Sequence, residues 1–138
     1  MPCIDRMLVM VQKEVAERLV AAPGDAAYGL PSVKVAYHSR ARIVGRVPPS
    51  AFFPRPRVDS ALVELQRLEA RAVSVDPSLL FDLVRAGFGQ RRKMLRRSLA
   101  ALVGPEAFEI AGVAPTARAE ELGLHDWASL VEAVAVTG

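Results

Sequence analysis

The chain has 138 residues, of which 51% are hydrophobic and 6% aromatic, and its formal net charge at pH 7 is +3. This length favours one domain or two small ones. No apolar run approaches the roughly 18 residues that cross a membrane. The first residues do not have the pattern of a signal peptide. A single cysteine, Cys3, and two histidines predict neither an internal disulfide nor a protein metal site, and they favour a cytoplasmic location.

Hydrophobic patterning divides the first half of the chain into strands and helices. Residues 7–12 form an apolar run typical of a strand buried on both faces. Residues 13–21 have helical spacing and are followed by a Pro-Gly stop signal at 23–24. Two further strands are predicted at 41–47 and 59–68, the second with alternating apolar and polar positions.

The segment between the last two strands is rich in proline. Four prolines between residues 48 and 56 exclude a helix, because proline fixes φ and has no N–H group. The result should be a stiff loop that presents Phe52 and Phe53 beside Arg55 and Arg57. A rigid aromatic next to arginines suits stacking on a base beside a phosphate. Burial of both phenylalanines as anchors of the loop is the alternative.

Helical periodicity begins at Asp76, the predicted N-cap of the next helix. One apolar stripe follows, made of Leu80, Val84, Phe88, Leu95, Leu99 and Leu102. Gly87 and Gly89 disfavour a helix interior, and they predict a kink or a break between two helices. Two later helices are predicted at 105–111 and 124–134.

Positive charge is concentrated in two windows that contain no acidic residue. Six cations lie between Asp25 and Asp59, and six more lie between Asp82 and Glu106. Three members of the second group have the spacing of one helix face: Arg85, Arg92 and Arg96. A one-sided field of this kind favours a polyanionic ligand such as a nucleic acid. The alternative is an ordinary solvated face, although such faces usually mix both signs.

Five segments of the chain carry recognisable motifs. Residues 47–60 read Val-Pro-Pro-Ser-Ala-Phe-Phe-Pro-Arg-Pro-Arg-Val-Asp-Ser and are similar to an F-x-P-x-P-x-V-x-S element. Four more motifs lie at 10–19, 27–33, 88–96 and 112–120. Together, and in this order, they resemble the rRNA adenine N6-dimethyltransferases, the bacterial small-subunit enzymes most closely. The resemblance covers essentially the whole chain.

This resemblance implies an α/β fold followed by an all-α part. Residues 1–68 would supply the last strands of a Rossmann-like methyltransferase sheet, and residues 72–138 a small helical rRNA-binding domain. It also implies a helix at 32–37, where β-branched valines alone suggest a strand. The strand at 8–12 would lack its preceding neighbour and expose an apolar edge, so residues 1–68 alone are expected to be poorly soluble and 72–138 to fold alone.

The resemblance also implies a reaction and a set of contacts. The family transfers methyl groups from S-adenosylmethionine to N6 of two adjacent adenines near the 3′ end of small-subunit rRNA. By position, Phe52 would stack on the target base, with Phe53 at a variable place. Contacts to small-subunit rRNA, within the 30S subunit, would come from Arg55, Arg57, Arg91, Arg92, Lys93 and Arg96.

Two family motifs have no counterpart in the sequence. One is the Gly-rich S-adenosylmethionine loop after the first strand, and the other is N-L-P-Y, which is impossible because the chain has no asparagine. The chain therefore looks like the C-terminal part of such an enzyme, and alone it is expected neither to bind S-adenosylmethionine nor to catalyse methyl transfer. A non-catalytic rRNA- or ribosome-binding module and a defective gene product are the alternatives. A helix-turn-helix DNA binder fits less well, because the basic helix is glycine-interrupted and nothing predicts a dimer.

Overall fold

The computed structural model describes residues 5–55, 57–68, 70 and 72–137. Cys3, the single cysteine, and Pro56 of the proline-rich segment lie outside the described residues. Within the described ranges the chain forms three strands, six α-helices and two short 3₁₀ turns. In the same ranges, no helix combines the length and the apolar character that a membrane crossing needs.

One antiparallel sheet organises the first half of the chain. Its strands are β1 (Arg6–Gln12), β2 (Ser39–Val47) and β3 (Ser60–Arg67), and β3 lies between the other two. Val63 of β3 is opposite Val9 on one side and Ile43 on the other. Ala61 and Val63 are buried while Gln66 is exposed, which confirms the predicted alternation along this strand.

Two helices accompany the sheet. They are α1 (Lys13–Val20) and α2 (Leu30–His38), so the helix implied at 32–37 is confirmed. Ala16 of α1 packs with Ala61 and Val63 of β3 in a small buried cluster. The hydroxyl of Ser32 in α2 donates a hydrogen bond to the carbonyl oxygen of Arg18 at 2.5 Å, and this bond ties the two helices together.

Strand β1 is an edge strand, and the prediction that both of its faces are buried is wrong. Met7, Leu8 and Met10 are 41%, 60% and 50% exposed. Leu8 is opposite Glu64 in the register, on the face of the sheet that points away from buried Val63. Because α1 packs on the other face only, the side chains of Leu8 and Met10 remain accessible. Among the described residues β1 pairs with β3 only, so its other edge is open and apolar, as the sequence predicts.

The second half of the chain is helical. Its helices are α3 (Pro77–Gly89), α4 (Leu95–Ser98), α5 (Pro105–Ala111) and α6 (Leu124–Thr137). Asp76 is the N-cap of α3, as predicted, and its carboxylate accepts a hydrogen bond from the Ser78 backbone N–H at 3.1 Å. The fully buried large side chains of this half form the main core: Leu80, Leu83, Val84, Leu95, Leu99, Trp127 and Leu130.

Helix α3 ends at Gly89, so the predicted break between two helices is confirmed there. Gly87 plays no part in the break, because it lies inside α3 and faces the ring of Trp127. Residues 90–94 then form a turn. The start of α4 is fixed from outside, since the Leu95 N–H donates to the Ala117 carbonyl oxygen at 2.7 Å.

The break changes the face on which later residues lie. Leu102, predicted to be part of the apolar stripe, is 42% exposed. Arg85 lies on α3, Arg92 in the turn and Arg96 on α4, so the three do not share one continuous helix face. Leu95 and Leu99 are fully buried, so beyond Gly89 the predicted stripe is wrong at Leu102 only. The predicted cationic face is wrong, because helical phase is lost in the turn.

The two halves of the chain share the main core. Tyr28, Val33 and Tyr37 belong to the same buried cluster as the helices after residue 76. The Tyr28 hydroxyl donates to the Leu122 carbonyl oxygen at 2.6 Å, and the Tyr37 hydroxyl donates to that of Val75 at 3.3 Å. The proposed division into 1–68 and 72–138 stays a prediction, but it cuts through this core.

Candidate nucleic-acid interface

The proline loop, residues 48–59, connects β2 to β3. It opens with a 3₁₀ turn, Pro49–Ala51, and the Phe52 N–H donates to the Pro49 carbonyl oxygen at 3.2 Å. The peptide bond between Phe53 and Pro54 is cis. The described residues of the loop contain no α-helix, as its prolines predict.

The two adjacent aromatic rings of this loop differ in exposure. Phe52 is half-buried, whereas Phe53 is fully exposed, at 101%. The alternative in which both rings are buried anchors is therefore wrong for Phe53. Arg55 and Arg57 are exposed, and within the described part of the chain neither has a carboxylate at ion-pair distance.

An open cleft of about 440 Å³ separates the end of the proline loop from the start of α1. The Lys13 N–H donates to the Asp59 carbonyl oxygen at 2.9 Å and closes one side of this cleft. Its charged lining residues are Lys13, Glu14, Glu17, Arg57 and Asp59. Two cations and three carboxylates nearly balance, so the cleft is not an anion pocket in itself.

A second group of cations surrounds the break between α3 and α4. We call Arg92, Lys93, Arg96 and Arg97 the turn cluster. All four are exposed, and among the described residues none has a carboxylate at ion-pair distance. A backbone hydrogen bond closes the turn, since the Lys93 N–H donates to the Gln90 carbonyl oxygen at 2.9 Å. Arg92 and Lys93 lie in the turn rather than on the basic helix that the sequence suggested.

Arg91 differs from the turn cluster because its side chain has partners within the protein. Its Nη2 donates to the Ala26 carbonyl oxygen at 3.1 Å and lies 3.4 Å from Oε2 of Glu120. The guanidinium carbon is 5.6 Å from the centre of the Phe88 ring. Arg91 is still 38% exposed. It links the loop before α2 to the segment before α6.

Some cations of the two acid-free sequence windows have carboxylate or aromatic partners in the folded chain. Arg42 pairs with Glu64 at 3.1 Å, and Arg85 pairs with Asp82 at 3.2 Å. The Lys34 ammonium lies 5.5 Å from the centre of the Phe81 ring. The cations of the proline loop and of the turn cluster are therefore more available to an anionic ligand than Arg42, Arg85 and Lys34 are.

The Gly-x-Gly of the chain, Gly87 to Gly89, lies at the end of α3 instead of in a loop after a strand. A Cβ at Gly87 would be 2.8 Å from the Trp127 ring, so this glycine serves internal packing. In the part of the chain that the structure describes, no three His, Cys, Asp or Glu side chains gather as metal ligands would.

Comparison with known proteins decides the family. The family model described as ribosomal RNA adenine dimethylase matches residues 1–135. The chain belongs to this family. The ribosomal RNA small subunit methyltransferase A of Cutibacterium acnes is 48% identical over 141 residues, which cover 95% of this chain and 47% of that protein. The protein of the same name from Paracoccus denitrificans is 48% identical over 137 residues, covering 97% and 48%.

The chain thus spans about half the length of the curated relatives that it matches. Two crystal structures share its fold. A dimethyladenosine transferase from Plasmodium falciparum superposes with a TM-score of 0.76 at 24% identity, over 94% of this chain and 56% of that one. The 23S rRNA methyltransferase ErmE gives a TM-score of 0.66 at 22% identity, over 97% and 56%. The three-stranded antiparallel sheet and the helices belong to this shared fold.

Proposed function

We propose that this chain is the RNA-binding, C-terminal part of an S-adenosylmethionine-dependent methyltransferase that dimethylates adjacent adenines near the 3′ end of small-subunit rRNA in the 30S subunit. Membership of the ribosomal RNA adenine dimethylase family supports the reaction class. The exposed, unpaired cations of the turn cluster carry the proposal for this particular chain. A phosphate backbone needs such cations, and four of them grouped together without a nearby carboxylate among the described residues differ from the usual interspersed mixture of both signs.

In this proposal the cations around the turn and those of the proline loop contact different parts of the RNA. Arg91, Arg92, Lys93 and Arg96 contact the phosphates of a structured part of the RNA, with Arg91 contributing only its exposed edge. Arg55 and Arg57 contact phosphates close to the reacting nucleotide. Phosphate contacts of this kind position the RNA without reading its sequence.

Phe52 is proposed to stack on the target adenine. Its half-buried ring is held by a backbone turn, so it can offer one face to a base without losing its position. Holding the base flat and out of its stack is what a reaction at the exocyclic N6 atom needs. The chain would therefore bind and orient the substrate, while groups that polarise N6 and hold the methyl donor are lacking in these residues.

Two assays on the 138-residue chain test the proposal. We expect a gel shift with a hairpin from small-subunit rRNA, no uptake of S-adenosylmethionine by calorimetry and no methyl transfer to the RNA. Absence of RNA binding would overturn the substrate-binding role and favour a product without function. Binding of S-adenosylmethionine by the unaided chain would overturn the claim that the donor site is lacking.

A stand-alone rRNA-binding module is the second candidate, and the same unpaired cations favour it. The two candidates differ in whether adding the first half of a full-length relative to this chain gives methyl transfer. Mixing this chain with the first half of a full-length relative should restore methyl transfer if the chain is an enzyme part. RNA binding with no restored transfer would favour the module.

A further inference from the structure

Phe53 is the most exposed of the large apolar side chains in the described ranges. It follows Phe52 directly, yet Phe52 is half-buried while the Phe53 ring is fully exposed, at 101%. An isolated exposed apolar residue needs no explanation in general. A whole phenyl ring presented to solvent next to a second, partly covered ring is a different case, because the two rings directly follow one hydrogen-bonded turn.

The loop holds Phe53 away from the protein surface. The Phe52 N–H is bonded to the Pro49 carbonyl oxygen at 3.2 Å, which fixes the backbone just before Phe53. Pro54 follows, and a residue before proline is restricted to extended conformations. The backbone that carries the ring is thus restricted on both sides, so little backbone entropy remains to be lost when a ligand covers the ring.

The charge next to Phe53 identifies the kind of ligand. Arg55 and Arg57 follow in the same loop, and both are exposed without a carboxylate at ion-pair distance among the described residues. An apolar protein surface would leave these guanidinium groups without a counter-charge. A single-stranded nucleic acid supplies a flat base for the ring and a phosphate for each cation.

We propose that Phe53 stacks on the nucleotide adjacent to the one that Phe52 holds, so that the proline loop binds two consecutive unpaired bases. This inference rests on the proposed function and adds a second base-binding residue to it. Phe52 then fixes one base from its half-buried position, and Phe53 keeps the neighbouring base from stacking back on it. The exposed ring thereby helps to keep the two adjacent bases of the substrate strand apart.

A double-mutant cycle between protein and RNA tests the pairing. An RNA hairpin with two adjacent unpaired adenines serves as the probe, either intact or with one of the two positions made abasic. We expect Phe53→Leu to weaken binding of the intact hairpin about 5-fold or more, the lower range for one base stacked on an aromatic. On one of the two abasic hairpins the same substitution should have almost no effect on affinity, because the base on which Phe53 stacks is already missing.

Two control variants complete the test. Phe53→Trp keeps an aromatic face and should restore affinity for the intact hairpin. Val136→Ala, at another exposed apolar side chain, should leave all three affinities unchanged. Coupling to one abasic position, together with rescue by tryptophan, supports the inference.

Other outcomes overturn it. Equal losses on the intact and both abasic hairpins, or no loss at all, would exclude stacking by Phe53. Dissociation of a dimer by Phe53→Leu in sedimentation, without a change in RNA affinity, would make the ring a contact between copies. If the unchanged chain binds none of the hairpins, the proposed function fails as well. If it binds them and Phe53 has no effect, only this inference fails.

Discussion

Gly87 of α3 lies directly against the Trp127 indole of α6, and a Cβ atom added at Gly87 would stand 2.8 Å from Cη2 of that ring. The same Cβ would be 3.4 Å from Cβ of Ala119 and 3.5 Å from a methyl group of Leu95. Trp127, Ala119 and Leu95 are fully buried. This glycine therefore permits the close approach of α3 to α6 on which the main core is built.

We expect Gly87→Ala to lower the free energy of unfolding by about 1–3 kcal/mol, the usual cost of overpacking a core. This loss should exceed the gain of about 1 kcal/mol that alanine offers over glycine in a helix. Gly89→Ala is the matched control, because a Cβ there meets nothing within 4 Å. Urea unfolding of both variants measures the difference, and equal stabilities would show that α6 can move away at little cost.

Arg91 is expected to affect both stability and RNA binding, whereas its neighbour Arg92 should affect RNA binding alone. Arg91→Ala removes the contacts to Ala26 and Glu120 and should cost about 1 kcal/mol of unfolding free energy, a modest value because the pair is partly exposed. Arg92→Ala should stay within about 0.5 kcal/mol of the unchanged chain. Thermal unfolding and RNA titration of both variants separate the two roles. A fully stable Arg91→Ala protein would remove the structural role.

The pH dependence of stability should contain a contribution from Tyr28. Burial raises the pKa of its hydroxyl from 10.0 to about 12, an effect that the Trp127 indole partly opposes. Because the pKa is higher in the folded protein, this contribution is fully present below pH 10.0 and is lost as the pH rises towards about 12.

Tyr28→Phe provides the control for this effect. The variant loses the hydrogen bond to the Leu122 carbonyl oxygen, so it should be less stable at neutral pH. Its stability should then fall less steeply than that of the unchanged chain at alkaline pH. Parallel curves of unfolding free energy against pH would show that Tyr28 ionises equally easily in the folded and unfolded states.

The shared core predicts how separated halves behave. Residues 72–138 alone should unfold at lower denaturant concentration than the whole chain, since Tyr28, Val33 and Tyr37 would be missing from their core. That residues 72–138 fold alone stays a prediction, and the shared core adds this loss of stability to it. Residues 1–68 alone should self-associate through exposed Leu8 and Met10. A monomeric 1–68 segment with cooperative unfolding would contradict the second point.

Local signals predicted most element boundaries to within a few residues. The N-cap at Asp76 and the alternation in β3 depend on neighbouring residues only, and both are confirmed. The exposure of β1 could not be predicted in the same way. An apolar run reports the tendency of its residues to be buried, and says nothing about which layers are present to cover them.

The turn cluster shows a second limit of sequence patterning. In the sequence, helical spacing continues from Arg85 to Arg96. In the structure, the turn at residues 90–94 interrupts the helix, so the helical phase is lost. Backbone hydrogen bonds from Leu95 to Ala117 and from Arg96 to Pro115 fix where α4 begins. Their partners are about twenty residues away in sequence. No local pattern contains this information, and the same holds for the pairing of Arg91 with Glu120.

The cationic character of the candidate interface was nonetheless predictable, because it depends on composition. Arg55, Arg57, Arg92, Lys93 and Arg96 are all exposed, whatever elements carry them. What could not be foreseen is that Phe53, at a position that the family motif leaves variable, would be the fully exposed ring. Motif spacing assigns positions along the chain, and exposure depends on how the loop is folded.

The salt dependence of RNA binding tests most directly the central claim that the turn cluster contacts RNA phosphates. For about five neutralised phosphates, the logarithm of the affinity for a small-subunit rRNA hairpin should fall with the logarithm of the salt concentration with a slope of about −4. Replacing Arg92 and Lys93 by alanine should reduce that slope by about 2, since each phosphate contact contributes about 1. Replacing Arg18 and Arg67, which changes the net charge equally, should leave the slope as it is. A slope near zero, or the same change in both double variants, would contradict the account.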